Sequence, residues 1–299
     1  MARNWEDSFR FWARPPSQSE QDRCDNAVSV VRNAIRSYVA FATRDIDVFA
    51  QGSYRNGTNV RADSDVDVCV RCNDLCFSDR ADGISQADTG LVDATYTYKE
   101  FKDDVGQALR SYLGAAAVSR GNKAFDLHAN SYRVDADVVP TFEHRRYSRG
   151  SDGGVRYISG TELRPDNGGR IINWPEQNYR NGVDKNQLTT ERFKKVVRIL
   201  KHVKNEMEEN GDASAGRVPS YLVECLVWNV PNGSFGSSSY TADLRAALLH
   251  LYSSTKTDST CSEWGEVNEL KYLFRASQPW TRGDAHAFVV AAWGYCELE

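Results

Sequence analysis

No stretch of this sequence approaches the roughly 18 consecutive apolar residues that a membrane-crossing helix requires, so no membrane partner is expected. A basic excess is missing as well. With a net charge of −4 and a pI of about 5.8, the chain lacks what a protein needs to grip long nucleic acid by its phosphates, and small substrates fit better. The seven cysteines, Cys24, Cys69, Cys72, Cys76, Cys225, Cys261 and Cys296, are odd in number and scattered. They offer no disulfide framework and suit a reducing cytoplasm. The opening MARNWEDSFRFWARPPS carries charges too often for the apolar centre of a signal peptide, and the sequence reads as soluble and cytoplasmic. His128, His144, His202, His250 and His286 are dispersed, so spacing reveals neither a histidine metal cluster nor a nucleophile–histidine pair. No internal repeat is visible. What is present is 299 residues with 40% apolar content, enough to bury one large or two modest cores, which excludes disorder.

The first part of the chain reads as α+β. A capping box at Ser17-Gln18-Ser19-Glu20 opens a helix on which Ala27, Val31, Ala34, Ile35 and Tyr38 recur at helical spacing, ending near Phe41 and bracing the fold. A strand over 46–51, the loop Gly52-Ser53 and a strand over 64–70 follow. The polar stretch 73–90 reads as a loop, and Phe101, Val105, Ala108, Leu109 and Tyr112 mark a second helix. Around a Gly121-Asn122 turn, strands are expected over 123–129 and 132–139, the latter stopped by Pro140. Residues 144–186, rich in Gly, Arg and Asp, read as a long connecting loop. From Thr190 the pattern is helical: Phe193, Val196, Val197, Leu200, Val203 and Met207 form one stripe, and further helices are expected over 219–229, 242–252, 264–274 and 284–293. The predicted division is a core over 1–185 and a helical domain over 186–299.

In Ser64-Asp65-Val66-Asp67-Val68-Cys69-Val70, alternation sends the Asp65 and Asp67 carboxylates out of one strand face. Carboxylates so close repel one another unless a cation lies between them, and all-oxygen ligation selects Mg²⁺ or Mn²⁺. Asp137 lies on a later strand, pointing away from Val134, Ala136 and Val138. Three such carboxylates suffice for two ions about 3.5–4 Å apart, the arrangement that supports in-line phosphoryl displacement. A lone D-x-D strand is more often a solvated face. Here Gly52-Ser53 precedes it at a strand-to-helix turn, where backbone N–H groups and a hydroxyl suit a triphosphate, and the combination points to metal-assisted chemistry on a nucleoside triphosphate.

Gly52-Ser53-Tyr54-Arg55-Asn56-Gly57-Thr58, Ser64-Asp65-Val66-Asp67-Val68 and Asp137-Val138-Val139-Pro140 together resemble the DNA polymerase beta nucleotidyltransferase superfamily. Within it they resemble the bacterial cGAS/DncV-like nucleotidyltransferases that make cyclic oligonucleotide second messengers. The similarity extends from Pro15-Pro16-Ser17 through the helical second half. It implies a polymerase-beta-like core of mixed sheet and helices, a C-terminal helical domain and an active site in the cleft between. It implies that Asp65, Asp67 and Asp137 bind two Mg²⁺ or Mn²⁺ ions and carry catalysis. Gln51, Gly52, Ser53, Lys201 and Ser220 then hold the donor nucleotide, and Tyr221 stacks on a base. Lys201 falls at the edge of the apolar stripe, where its stem can pack while its ammonium reaches out. Lys204 is a rival for its role. The family spacing favours Asp65 and Asp67 over Asp63 and Asp65, leaving Asp63 and Asp135 as supporting or solvated groups.

The implied reaction joins ribonucleoside triphosphates, ATP and GTP first, into a cyclic dinucleotide with cyclic GMP–AMP ahead of the rest, in antiphage signalling. A regulatory protein partner is left open. So are transfer to RNA, for which Arg145-Arg146-Arg149 is a local basic patch, transfer to a protein, and non-catalytic nucleotide binding. Cys69, Cys72 and Cys76 lack a second Cys/His pair at zinc-finger spacing and read as chance clustering.

Overall fold

The computed structural model describes residues 3–60 and 65–298, which gather into two compact units, each discontinuous in sequence. Asp63 and Ser64 lie outside the described residues.

One unit comprises residues 18–54 and 65–175. Its centre is a seven-stranded sheet of β1 (Ile46–Gln51), β2 (Val66–Arg80), β3 (Val118–Arg120), β4 (Phe125–Leu127), β5 (Ala136–Arg149), β6 (Val155–Leu163) and β7 (Ile171–Asn173). The order is β1-β2-β5-β4-β3, with β6 also on β5 and β7 on β6. β2 and β5 run parallel, and the other pairings are antiparallel. Val66, Val68 and Val70 of β2 and Ala136 and Val138 of β5 point into a core closed by the helices Gln18–Ser37 and Tyr98–Leu113. Those helices contribute Ala27, Val31, Ala34 and Ile35, and Phe101, Val105, Ala108 and Leu109, respectively. Tyr112, placed on that stripe from sequence, is exposed.

Three expectations for this unit need correction. The polar run after Cys72 is not a loop: β2 continues to Arg80 after a register shift between Cys72 and Cys76. Asn73 and Asp74 at the shift bond the edge strand, Asn73 Nδ2 reaching Asp47 at 3.1 Å and the Asp74 carboxylate taking the Asp45 N–H at 3.1 Å. Pro140 does not stop β5, because β4 pairs only as far as Val138 and β6 begins at Phe142. In extended backbone a residue's N and O point to one side, and the Pro140 carbonyl accepts from the Tyr98 hydroxyl at 2.8 Å rather than from a strand. The missing N–H therefore falls where no strand requires it. Residues 144–186 hold the rest of β5, β6, β7 and the helix Pro175–Leu188. The charged residues that hid the strands are paired, Arg145 with Glu143 of its own strand at 2.7 Å and Arg156 with Asp152 of the preceding turn at 2.6 Å.

The other unit gathers the described residues of 1–17, 55–64 and 176–299. The helix Phe193–Glu209 is its axis, and Phe193, Val196, Val197, Leu200, Val203 and Met207 are all buried, as their spacing predicts. Ser220–Trp228, Tyr240–Thr255 and Arg282–Tyr295 are helical, the last opened by a Thr281/Asp284 capping box. Residues 264–274 are not a helix. A bridge joins Gly265 to Tyr272, and Asn268 Oδ1 takes the Leu270 N–H at 2.8 Å in a turn with Glu269 at φ +57°. The helix Trp5–Trp12 packs Phe9 and Trp12 into this core, so the chain's first residues belong here rather than with the sheet, and the division falls at 175/176 rather than 185/186. No helix among the described residues is long and apolar enough to cross a membrane.

Candidate active site

The acidic residues are placed by the sheet register. β2 and β5 run side by side with Asp67 opposite Asp137, so both carboxylates leave the same face of neighbouring strands while their valine neighbours enter the core. Cys69, next on that face, meets Thr141 with its Sγ 3.2 Å from the hydroxyl. Asp65 immediately precedes β2 and is exposed, and its charge reaches both other carboxylates. Burial, then the charges of Asp137 and Asp65, push the Asp67 carboxyl up from 3.8 to about 6. Asp137 is raised by burial and then by Asp126, Asp65 and Asp135.

Gln51 ends β1 opposite Asp67, and Gly52 and Ser53 open the short helix Gly52–Asn56. Gly52 has φ +64°, and a Cβ there would sit 2.1 Å from Asp67 Oδ2. The Gly-Ser turn and the first strand carboxylate are thus in direct apposition, and no residue with a side chain fits.

Asp126 is the acidic residue that sequence reading missed. It lies on β4 in register with Asp137, flanked by buried Phe125 and Leu127. The alternation Phe-Asp-Leu is visible in the sequence, but only the register shows which carboxylate it faces. Asp135, by contrast, binds the Ala129 N–H at 2.7 Å and holds the loop before β5.

Among the described residues no group of three or more His, Cys, Asp or Glu side chains is placed to hold a metal ion. The donor set nonetheless fits hard divalent cations. It is all oxygen, two members are adjacent on paired strands, and each is driven toward protonation by burial and then by a repulsion that a cation would relieve.

In the helical unit, Lys201 is 3% exposed, and its ammonium donates to Thr58 O at 3.1 Å, Thr58 Oγ1 at 3.3 Å and Glu224 Oε2 at 3.3 Å. It lies inside the packed helix rather than at the edge of its stripe. The rival Lys204 pairs with Glu208. Ser220 is exposed at the start of its helix. The Tyr221 hydroxyl meets Asn178 Oδ1 and Glu266 Oε2, each at 3.0 Å, and its ring lies edge-on to Trp280. The three arginines read as a basic patch are engaged: Arg145 on Glu143, Arg146 over the Trp174 ring, and Arg149 on the carbonyls of Gly83 and Gly153.

A nucleotidyltransferase domain matches residues 30–105, and the C-terminal helical domain of cGAS/DncV-like nucleotidyltransferases matches residues 180–297. The cyclic dipyrimidine nucleotide synthase CdnE of Legionella pneumophila is 46% identical over 299 residues, with 99% of each chain covered. The chain belongs to the cGAS/DncV-like nucleotidyltransferases. A second such relative, the cyclic dipyrimidine nucleotide synthase CdnE of Cecembia lonarensis, is 40% identical over 299 residues and 100% of both chains. The solved Elizabethkingia meningoseptica CdnE cyclic dinucleotide synthase, with GTP and Apcpp, superposes with a TM-score of 0.81 at 36% identity, covering 97% of this chain and 98% of that one. Family membership makes the chain a nucleotidyltransferase and accounts for the pairing of a mixed sheet with a helical C-terminal domain.

Proposed function

We propose that this cGAS/DncV-like enzyme condenses two ribonucleoside triphosphates into a cyclic dinucleotide, in two successive transfers that each release pyrophosphate, and that the product is a second messenger in antiphage defence. The observation that carries the reading is the Asp67–Asp137 pair in parallel register, with Gly52 against Asp67. Asp65, Asp67 and Asp137 are the residues that would hold two Mg²⁺ or Mn²⁺ ions, whose charge would neutralise the triphosphate and acidify the attacking ribose hydroxyl.

The protein's own part is positioning. β2 and β5 fix the carboxylates on one face, and the Gln51-Gly52-Ser53 turn presents backbone N–H groups and a hydroxyl to phosphate oxygens. Lys201 and Ser220 neutralise and hold phosphate oxygens, and Tyr221 offers its ring to a base. No protein nucleophile is needed, because the ribose hydroxyl attacks the α-phosphorus and pyrophosphate leaves. After the first transfer, the linear intermediate turns in the pocket and its own hydroxyl closes the ring.

The choice of base follows the relatives. Family resemblance alone puts cyclic GMP–AMP first, but the two relatives at 46% and 40% identity over the whole chain are dipyrimidine synthases. We therefore propose UTP and CTP as the preferred substrates. The test is incubation of the purified protein with all four ribonucleoside triphosphates and Mg²⁺ or Mn²⁺, phosphatase treatment and mass spectrometry. A phosphatase-resistant pyrimidine cyclic dinucleotide is expected. A purine product would overturn the base assignment alone, and nucleotides added to RNA or protein with no cyclic product would overturn the reaction.

A further inference from the structure

Glu224 lies in the apolar helix Ser220–Trp228 and is 2% exposed, a position where a carboxylate destabilises the fold unless its oxygens are satisfied. They are satisfied completely. Oε1 accepts from Asn56 Nδ2 at 3.1 Å and Asn178 Nδ2 at 3.4 Å, and Oε2 from Thr58 Oγ1 at 2.6 Å and Lys201 Nζ at 3.3 Å. Four donors fill the acceptor sites of one carboxylate, and they come from three separate stretches of chain, Asn56 and Thr58 sharing one. Thr58 closes the arrangement, taking a hydrogen bond from Lys201 and giving one to Glu224. Asn178 extends it: its Oδ1 lies 3.0 Å from the Tyr221 hydroxyl and shares that group's single proton with Glu266 Oε2, while Asn268 Nδ2 donates to the phenolic oxygen at 3.3 Å. Ser220 stands one helical turn before Glu224, on the same helix face.

Lys201, Ser220 and Tyr221, the residues this half of the chain contributes to the nucleotide, therefore all surround one buried carboxylate to which no role is assigned. We propose that Glu224 is a positioning residue for the nucleotide: it aims the Lys201 ammonium at the phosphates and, through Asn178, fixes the Tyr221 ring for the base. The inference rests on the reading of Lys201 and Tyr221 given under the proposed function. All three Lys201 donor directions are engaged by Thr58 and Glu224, so a phosphate oxygen must replace one of them while the others hold the ammonium in line. A hydrophobic residue at position 224 would pack as well, but would leave the ammonium buried, unpaired and undirected.

The experiment uses the full chain with Mg²⁺ and two probes, inorganic tripolyphosphate and a non-hydrolysable UTP analogue, measured by calorimetry alongside steady-state kinetics. Glu224→Gln puts an N–H₂ group where two donors converge. It is expected to weaken both probes by about tenfold or more, the loss of a charge-assisted hydrogen bond, and to raise KM more than it lowers kcat. Thr58→Val is expected to weaken both probes, and Tyr221→Phe, which keeps the ring but cuts the link to Asn178, only the UTP analogue. A folded Glu224→Gln protein that binds both probes like the wild type overturns the proposal. If Glu224→Gln does not fold, wild-type affinities in Thr58→Val and Tyr221→Phe overturn it instead. A wild-type protein that binds both probes without forming product removes the proposed reaction but leaves Glu224 to be judged by binding. A wild type that binds neither overturns the positioning role.

Discussion

Gly52 is held to its residue type twice over, by a backbone φ of +64° and by an Asp67 oxygen 2.1 Å from where a side chain would begin. In Gly52→Ala the left-handed backbone costs about 1–2 kcal/mol and the Asp67 carboxylate must move. A displacement of about 1 Å at a reacting centre costs on the order of a hundredfold in rate, so pyrophosphate release should fall by that much while the far-UV circular dichroism stays native. Full activity in the alanine variant would show that the close approach is not needed. Asp67 carries a second consequence, in pH. Its carboxyl titrates near 6 in the folded protein against 3.8 as an ordinary aspartate, so between those values the folded state binds more protons than the unfolded one. Stability of the metal-free protein should fall as pH rises through that window, by about 3 kcal/mol, and remain lower above it. Asp67→Asn, inactive in turnover, should be the more stable protein in urea at about pH 7.5 with chelator present, and the two should converge below pH about 4. Equal stabilities at neutral pH would mean that the charge is not strained. The three aspartates stood out in the sequence because local alternation puts carboxylates on one strand face, and the resemblance to the family's spacing singled them out from Asp63 and Asp135. Asp126 and Glu224 did not, since each is defined by a partner on another element, which only register and packing reveal.

Strands were legible where one face is apolar and the other short and polar, as over 46–51 and 66–70. They were illegible where long charged side chains break the alternation and pair with near neighbours in the chain, as in β5 and β6 beyond His144. Gly160 illustrates the cost. It reads as a loop residue, yet it lies in β6, where a Cβ would meet Asn173 O and the Trp174 ring, each at 2.6 Å. The indole takes the place of the absent side chain, with the buried His144 ring at its edge. Gly160→Ala should destabilise by about 1–3 kcal/mol through overpacking, read as a lower urea midpoint with an unchanged slope and altered tryptophan fluorescence. An unshifted midpoint would mean that Trp174 moves aside freely. The stretch 264–274 failed for the opposite reason: apolar residues at helical spacing are there, but Asn268 and the polar bonds of Glu266 favour a turn that periodicity cannot register.

At the scale of the molecule, composition changes near residue 186, and a boundary drawn there misses how contacts are shared. The helical unit recruits residues 3–17 and 55–60 from the first part of the chain. Phe9 is fully buried in its core, and Arg198 in the axial helix donates to Ala13 O at 2.9 Å and also to the Gly57 carbonyl. Such a residue belongs energetically to the core it fills and not to its neighbours in sequence. Phe9→Ala should therefore cost about 3–5 kcal/mol, the loss expected for a large aromatic removed from a closed core. Hydrogen exchange tells where that cost falls. If the two units are separate cooperative bodies, amides in Phe193–Glu209 and Ser220–Trp228 should lose protection while those in β2 and β5 keep theirs. Equal loss in the strands would mean that the chain unfolds as one cooperative body despite its two cores.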